Sequence, residues 1–560
     1  MSIGFDNISI AVRQACLTAC IKGGAELRAF RQDESGVLVK PMVGFLLSML
    51  AVGGIGVDLM RMERDRTILQ YTLDRAVLAA ADLDQPLPPA VVVQDYLNKA
   101  GLNKYYTPPV AETGIGFKKV QSTIDTTFET HMLKFSSGQD MPLYATSRAE
   151  ESIDALEISL VLDVSGSMRS NSRLTNLKIA AKEFIDTMVA NTTDGKMSVS
   201  IVPYATQVSL PAELLQQYNA TEEHEYSNCV NFTGPHFQST ALSTTEELKR
   251  TMHFSPWSGS DYRTSSNLVS SPVCEDRADR EILPLQKDAD TLKDFIQNLY
   301  AQGNTSIDVG MKWGTALLDP SARPAISALS GGGGAMVPAT FSNRPVSFND
   351  NDTVKIIVLM TDGQNTSQYY VESDHREGPS DVYYNPAASS SRARYSTYDP
   401  QRDKYYWDNM NRWEDHAYGQ GSYRKCNSSY CWWQDEEGEP AQVQRLSYAD
   451  LFADTSLKYL YKYLYGDWMG QSSARSTWYY GVYDSWGTTT KNARTSAVCT
   501  AAKSQGIVVY TIGFEAPNSG TAVLKDCASS DAHHFDVEGL EISDAFASIA
   551  TSIRQLRLTQ

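Results

Sequence analysis

Residues 158–168 read Ile-Ser-Leu-Val-Leu-Asp-Val-Ser-Gly-Ser-Met, and residues 354–363 read Val-Lys-Ile-Ile-Val-Leu-Met-Thr-Asp-Gly. Each is a short aliphatic run that ends in oxygen-bearing side chains. Continuous rather than alternating aliphatics mark strands buried on both faces, as in a parallel sheet covered by helices. The same rhythm recurs on either side of these two runs. A helix is predicted over 176–189, a strand over 197–204, and helices over 291–300 and 307–318. A helix over 493–504, a strand over 507–512, a helix near 522–528, a short strand over 533–537 and a last helix over 543–556 follow. This alternation predicts an α/β domain over 151–560 with a doubly wound, mostly parallel sheet.

Two stretches break the alternation, at about 211–285 and about 363–491, and are read as insertions emerging at loops. The second holds 19 of the 30 tyrosines and 7 of the 9 tryptophans, so the aromatic excess of the chain is local. Two readings follow from it: a small aromatic core stapled by a disulfide, or an exposed recognition surface, for which Tyr-, Ser-, Asn- and Gly-rich loops are suited.

Upstream, residues 36–60 read GVLVKPMVGFLLSMLAVGGIGVDLM, with no charge between Pro41 and Val57. With its flanks this run approaches the ~20 residues that span a hydrocarbon core, and it has no single apolar stripe, so it is read as one transmembrane helix. Residues 61–82 continue at helical spacing, with Leu69, Leu73, Ala76, Val77 and Ala80 on one stripe, as a stalk that leads into a small α+β or β-rich unit up to residue 150. Positive charge is balanced across the helix: Lys22, Arg28, Arg31 and Lys40 precede it, and Arg61, Arg64, Arg66 and Arg75 follow it. Cysteine breaks the tie. Cys16 and Cys20 precede the helix, and Cys229, Cys274, Cys426, Cys431, Cys499 and Cys527 follow it, an even set suited to three bridges in an oxidising compartment. Residues 1–35 are therefore placed in the cytoplasm and the remainder outside it. The net charge of −17 offers nucleic acid no basic footprint.

The chemistry lies at the strand ends. An open parallel sheet binds ligands beyond the carboxyl ends of its strands. Asp163, Ser165 and Ser167 end the first strand, Thr305 stands in the Gly-Asn-Thr-Ser-Ile turn that opens a helix, and Asp362 follows the strand at 354–360. Carboxylates and hydroxyls without imidazole or thiolate suit a hard divalent cation such as Mg2+, with Mn2+ or Ca2+ as alternatives.

These three elements, DVSGSM, GNTSI and LMTDG, resemble the metal-ion-dependent adhesion site of von Willebrand factor type A domains. The resemblance implies Ser165 and Ser167 as direct ligands and Thr305 as a ligand in one conformational state. Asp163 and Asp362 would act mostly through water, and one coordination position is left for a partner's carboxylate. The anchor, with RAFRQDESG before it and VDLMRMERDRTILQYTLDRAVLAAA after it, resembles TadE/TadG-like proteins of the Flp (Tad) pilus machinery. VPYATQV at 202–208, VVYTIGF at 508–514 and HHFDVE at 533–538, together with Cys499 and Cys527, also look like that group. Cys499 falls within one predicted helix and Cys527 near the end of the next, so their bridge is the pairing expected; the other pairings stay open.

No catalysis is expected. The serines near Asp163 lack a G-x-S-x-G elbow, His533 and His534 have no nucleophile placed with them, and HExxH and Walker A sequences are absent. The expectation is an inner-membrane, single-pass pilus-assembly component that engages an acidic side chain of an envelope protein through a cation. The alternative is a surface adhesin that binds through the aromatic insertion, with the metal structural. The oligomeric state is not legible.

Overall fold

Helix α1 (Val39–Ala81) runs for 43 residues, about 64 Å at 1.5 Å per residue, or twice the ~30 Å hydrocarbon core of a bilayer. Its first part carries large apolar side chains on all sides with nothing packed on them, Phe45 70% and Leu50 62% exposed among them. It is the one helix among the described residues long and apolar enough to cross a membrane. The apolar segment and the stalk expected to continue from it form one unbroken helix. The described residues, in a computed structural model of the protein, are 39–82, 85–114, 117–135, 140–152, 155–190, 192, 194–257, 268–331, 335–350 and 352–555. The segment 1–35 assigned to the cytoplasm, with Cys16 and Cys20, lies outside them.

The chain divides into two compact units at residues 151/152, with 114–117 grouped with the second. In the first unit the stripe Leu69, Leu73, Ala76, Val77 and Ala80 is fully buried. It packs with Val92, Val93 and Leu97 of α2 (Pro89–Lys99) and with Val120, Ile124 and Leu143. The last three come from a three-stranded sheet of β1 (Val110–Gly114), β2 (Phe117–Phe128) and β3 (Met141–Ser152), in the order β1-β2-β3. The unit is thus α+β. Asp58, which ends the apolar run, accepts the backbone N–H groups of His131, Met132 and Leu133 on one carboxylate oxygen at 3.1, 2.7 and 2.8 Å.

The second unit is built on six strands: β4 (Ala155–Asp163), β5 (Met197–Tyr204), β6 (Leu283–Gln286), β7 (Thr353–Thr361), β8 (Val508–Phe514) and β9 (His534–Val537). Their order is β9-β8-β7-β4-β5-β6, parallel throughout except for β6. Successive residues of β4 serve opposite faces. Leu160 belongs to a core with α3 (Arg173–Ala190), α4 (Ala289–Asn298) and α8 (Glu541–Gln555). Val161 belongs to another with α5 (Ile307–Ala316), α6 (Thr488–Ser504) and α7 (Asn518–Cys527). Two covered faces explain why the strands read as unbroken aliphatics. Chain order reverses between β4 and β7, which opens a crevice at their carboxyl ends.

Strand β6 corrects the sequence reading, which left these residues largely inside the first interruption. It is four residues long and contains Pro284, so neither length nor alternation marks it; a proline is tolerated because it is an edge strand.

The two interruptions form a shared body. Met252, Phe254 and Val273 of the first lie in one core with Val371, Tyr395, Tyr459, Leu460 and Trp478 of the second. The second contains a five-stranded antiparallel sheet with Pro379–Tyr384 and Tyr395–Asp399 at its centre. It leaves and rejoins the α/β domain through a two-stranded neck, Gln368–Val371 paired with Tyr483–Trp486. All six cysteines after the membrane helix are bridged: Cys229–Cys274, Cys426–Cys431 and Cys499–Cys527. The stapled-core reading needs correction on one point. Cys426–Cys431 closes a single hairpin, Ser422–Cys426 with Cys431–Asp435, and the aromatic core is held by packing. Most of the aromatics are interior. Trp433 and Tyr430 at that hairpin and Tyr480 are the marked exceptions, 71%, 64% and 61% exposed.

Candidate metal centre

The five predicted oxygen donors come from three loops at the carboxyl ends of β4 and β7 and the start of α5. After β4 the chain turns at once. Ser165 N–H donates to Asp163 Oδ1 at 2.7 Å, and a 3-10 turn, Gly166–Arg169, carries Ser167 round beside Ser165, with the hydroxyl oxygens 3.0 Å apart. The Ser167 hydroxyl donates to Asp362 Oδ1 at 2.7 Å, and the Thr361 hydroxyl donates to Asp163 Oδ2 at 2.6 Å. Asp163, Ser165, Ser167 and Asp362 thus form one chain of contacts. Thr305 completes the crevice from the third loop: a Cβ on Gly363 would stand 3.7 Å from its hydroxyl. The loops also hold each other by backbone, Gly166 N–H donating to the Gly303 carbonyl at 2.9 Å. Gly303 has φ +88°, and a Cβ there would fall 2.7 Å from the Thr206 hydroxyl, so this turn requires glycine.

Asp163 is fully buried and Asp362 nearly so. Burial pushes both carboxyls above the ordinary carboxylate range, and the negative charge of Asp362 adds to this at Asp163. The chemistry of the set therefore fits a divalent cation: two carboxylates that resist ionising together, and three hydroxyls, all hard oxygen donors. Among the described residues no group of three or more His, Cys, Asp or Glu gathers to hold a metal, so this mixed hydroxyl and carboxylate set stands apart from a zinc-type cluster.

Several residues that organise the crevice were not anticipated. Arg173, at the start of α3, donates to Asp362 Oδ2 at 2.9 Å and to Glu515 Oε2 at 2.8 Å, which puts a fixed positive charge beside the donors. Thr206, inside the VPYATQV run, accepts Asn304 N–H at 2.8 Å on its hydroxyl and accepts the Ser306 hydroxyl on its carbonyl. Asn365 accepts Ile307 N–H at 2.9 Å and so caps α5 from the Asp362 loop. Lys491, fully buried at the start of α6, donates to the Thr305 carbonyl at 3.0 Å, to the Thr366 carbonyl at 2.8 Å and to the Ser306 hydroxyl. Behind it lies the buried Asp308 carboxylate, 3.7 Å from Lys491 Nζ and 3.9 Å from Arg494. A buried lysine and a surface lysine look alike in sequence; only Asn365 and Thr366, close behind Asp362, carried a positional hint.

His533 and His534 are not part of the crevice. His533 pairs with the Ser530 hydroxyl and His534 with that of Thr511, both local contacts around β9.

Residues 36–83 match the Flp pilus-assembly TadE/G-like family, so the resemblance read from the anchor is borne out over that segment. No curated protein matches the chain. Among solved structures, the chain is similar to the von Willebrand factor domain of the type V pili tip protein Mfa5 from Porphyromonas gingivalis. The two are 14% identical, with a TM-score of 0.30, covering 72% of this chain and 96% of that one. It is similar also to the pilus adhesin SpaC from Lactobacillus rhamnosus GG in its open conformation, at 10% identity and a TM-score of 0.29, covering 80% and 33%. A third is the adhesive tip pilin GBS104 from Group B Streptococcus agalactiae, at 12% identity and a TM-score of 0.27, covering 71% and 100%.

Proposed function

We propose that this protein is a membrane-anchored, non-enzymatic component of Flp (Tad) pilus assembly whose von Willebrand A-like domain binds an envelope protein through a divalent cation. The observation that carries the reading is the convergence of Asp163, Ser165, Ser167, Asp362 and Thr305 from three loops on one crevice beyond the sheet. Ser165, Ser167 and Thr305 would hold the ion directly. Asp163 has both carboxylate oxygens engaged by Ser165 N–H and the Thr361 hydroxyl, an arrangement that suits a ligand acting through water. Mg2+, or Mn2+ or Ca2+ in its place, would supply an electrophilic point for a carboxylate on the partner. The chain's own residues orient the donors, with Arg173 bridging Asp362 and Glu515 at the rim.

The apolar helix at residues 39–81 and the family match of that segment support membrane anchoring. In this reading that is the inner membrane, with residues 1–35 cytoplasmic and the bridged cysteines on the oxidising side. Calorimetric titration of Mg2+ and of Mn2+ into the detergent-solubilised full chain tests the metal step. One saturable site, lost in Asp163→Ala and in Ser165→Ala, is expected. A folded wild-type chain that takes up neither ion overturns it.

The second reading, an adhesin that uses the aromatic insertion, draws on the exposed Tyr430 and Trp433 at the stapled hairpin. Cell fractionation separates the two, since surface exposure of the domain contradicts assembly from the inner membrane.

A further inference from the structure

A second site lies in the insertion, among helical turns that the metal centre does not touch. After a short helical turn, Leu457–Tyr459, the backbone switches to π geometry over Leu460–Leu464, and it does so again over Ser476–Tyr480. π-turns are rare and are found mostly where function has kept them. These two line the same open cleft, of about 720 Å3, in which every lining side chain but the half-buried Tyr461 is exposed.

Three cations line it, Lys458, Lys462 and Arg475, and no carboxylate does, in a chain of net charge −17. None of the three has an ion-pair partner among the described residues. Arg475 is held over the rings of Tyr461, Tyr479 and Tyr480, at 5.8, 5.9 and 5.2 Å from their centroids. Cation–π contacts at these distances keep the guanidinium beside the rings, and an arginine can bind an oxyanion in two-pronged fashion.

The rest of the wall is neutral and hydrogen-bonding: Gln471, Ser472, Ser476 and the hydroxyls of Tyr461 and Tyr480. We infer that this cleft binds an acidic saccharide, its carboxylates on Lys458, Lys462 and Arg475, its hydroxyls on the neutral groups, and a sugar face against the exposed Tyr480 ring. An acidic peptide fits less well. Acidic peptide motifs are read by clusters of arginines, whereas here a single arginine stands with two lysines, five hydroxyl- or amide-bearing side chains and an exposed ring, a lining suited to a polyhydroxylated acid.

The site is independent of the cation proposed above, so its test is run in EDTA on the detergent-solubilised full chain. The probe is a galacturonic acid tetramer, with maltotetraose as the neutral control. Saturable binding of the acidic tetramer alone is expected, weakened at least tenfold by Arg475→Gln and by Lys462→Gln, and weakened by added salt. Lys458 is exposed and has no ion pair among the described residues, so weaker binding in Lys458→Gln reports the site rather than folding. Equal binding of the neutral tetramer overturns the inference. So does equal binding of hexaglutamate, which assigns the cleft to acidic peptide, or of inorganic phosphate, which leaves only a generic anion site. Unaltered binding in all three variants overturns it as well.

Discussion

Replacing Lys491 by methionine tests whether the crevice is held from behind. The side chain is fully buried, and its ammonium satisfies the carbonyls of Thr305 and Thr366 and the hydroxyl of Ser306. Methionine has nearly the same volume, so no cavity is made, and the cost is purely polar. The Thr305 carbonyl keeps the Thr366 N–H at 3.0 Å, whereas the Thr366 carbonyl loses its lysine donor, and a buried acceptor left without one costs about 1–3 kcal/mol. The Asp308 carboxylate, whose oxygens have no hydrogen bond, keeps only Arg494 as a counter-charge. Breaking a buried charge pair from one side costs about 3–5 kcal/mol. These costs overlap, so a loss of about 3–5 kcal/mol in total is expected.

All nine tryptophans lie at residue 257 or beyond, so tryptophan fluorescence during urea unfolding of the solubilised chain follows the second unit. The midpoint should fall at unchanged slope. Lys491→Met combined with Asp308→Asn should regain at least 1 kcal/mol, because the orphaned carboxylate is then gone. A loss under 1 kcal/mol in the single variant would refute the argument, since the three bonds would then be replaceable by water.

Three further outcomes follow from the same geometry. Mg2+ at a hundredfold excess over its dissociation constant should stabilise the second unit by about 2.7 kcal/mol, raising the melting temperature, with the gain abolished by EDTA and by Asp163→Ala. Glu281 has its carboxyl pushed up to about 7 by burial, then by the charges of Asp276, Glu213 and Asp279. The folded state therefore holds a proton between the usual 4.5 and about 7 that the unfolded state has released, so stability falls as pH rises through that window; Glu281→Gln should flatten this part of the melting-temperature profile. Trp407 is fully buried and donates its indole N–H to the His416 carbonyl at 2.8 Å. Trp407→Ala should cost about 3–5 kcal/mol and open the insertion to limited proteolysis while leaving β4 and β7 protected.

The α/β frame was legible because each central strand is buried on both faces, so its identity survives in a run of aliphatics that needs no knowledge of its neighbours. Residues 197–204 were read as a strand to the residue. The oxygen donors were legible for a similar reason, since all five stand within a few residues of a strand end or a helix start. What stayed hidden depends on distant partners. β6 is four residues of an edge strand defined by β5. Arg173 matters because Asp362 and Glu515, 189 and 342 residues away, meet at its guanidinium. The two interruptions looked separate because their shared core joins Phe254 to residues more than a hundred positions later.

The insertion is rooted in the crevice rather than appended to a remote edge. Asn365 and Thr366 stand at its entrance, and they cap α5 and hold Thr305. Lys491 and Arg494 stand at its exit, and Lys491 holds the same Thr305 carbonyl. Between them the neck is a paired β-ribbon in which Tyr370 stacks on Trp486 at 4.3 Å. Arg494 in turn lies 4.2 Å from the Trp486 ring and 5.0 Å from that of Phe237, in the first insertion. Packed rings and buried charges of this kind have few alternative arrangements. The backbone of Thr305, the donor expected to change its role with conformational state, is therefore tied to both Lys491 and Thr366. Both lie on the segments that enter and leave the insertion, so the crevice and the aromatic body share the backbone of Thr305 as a common anchor.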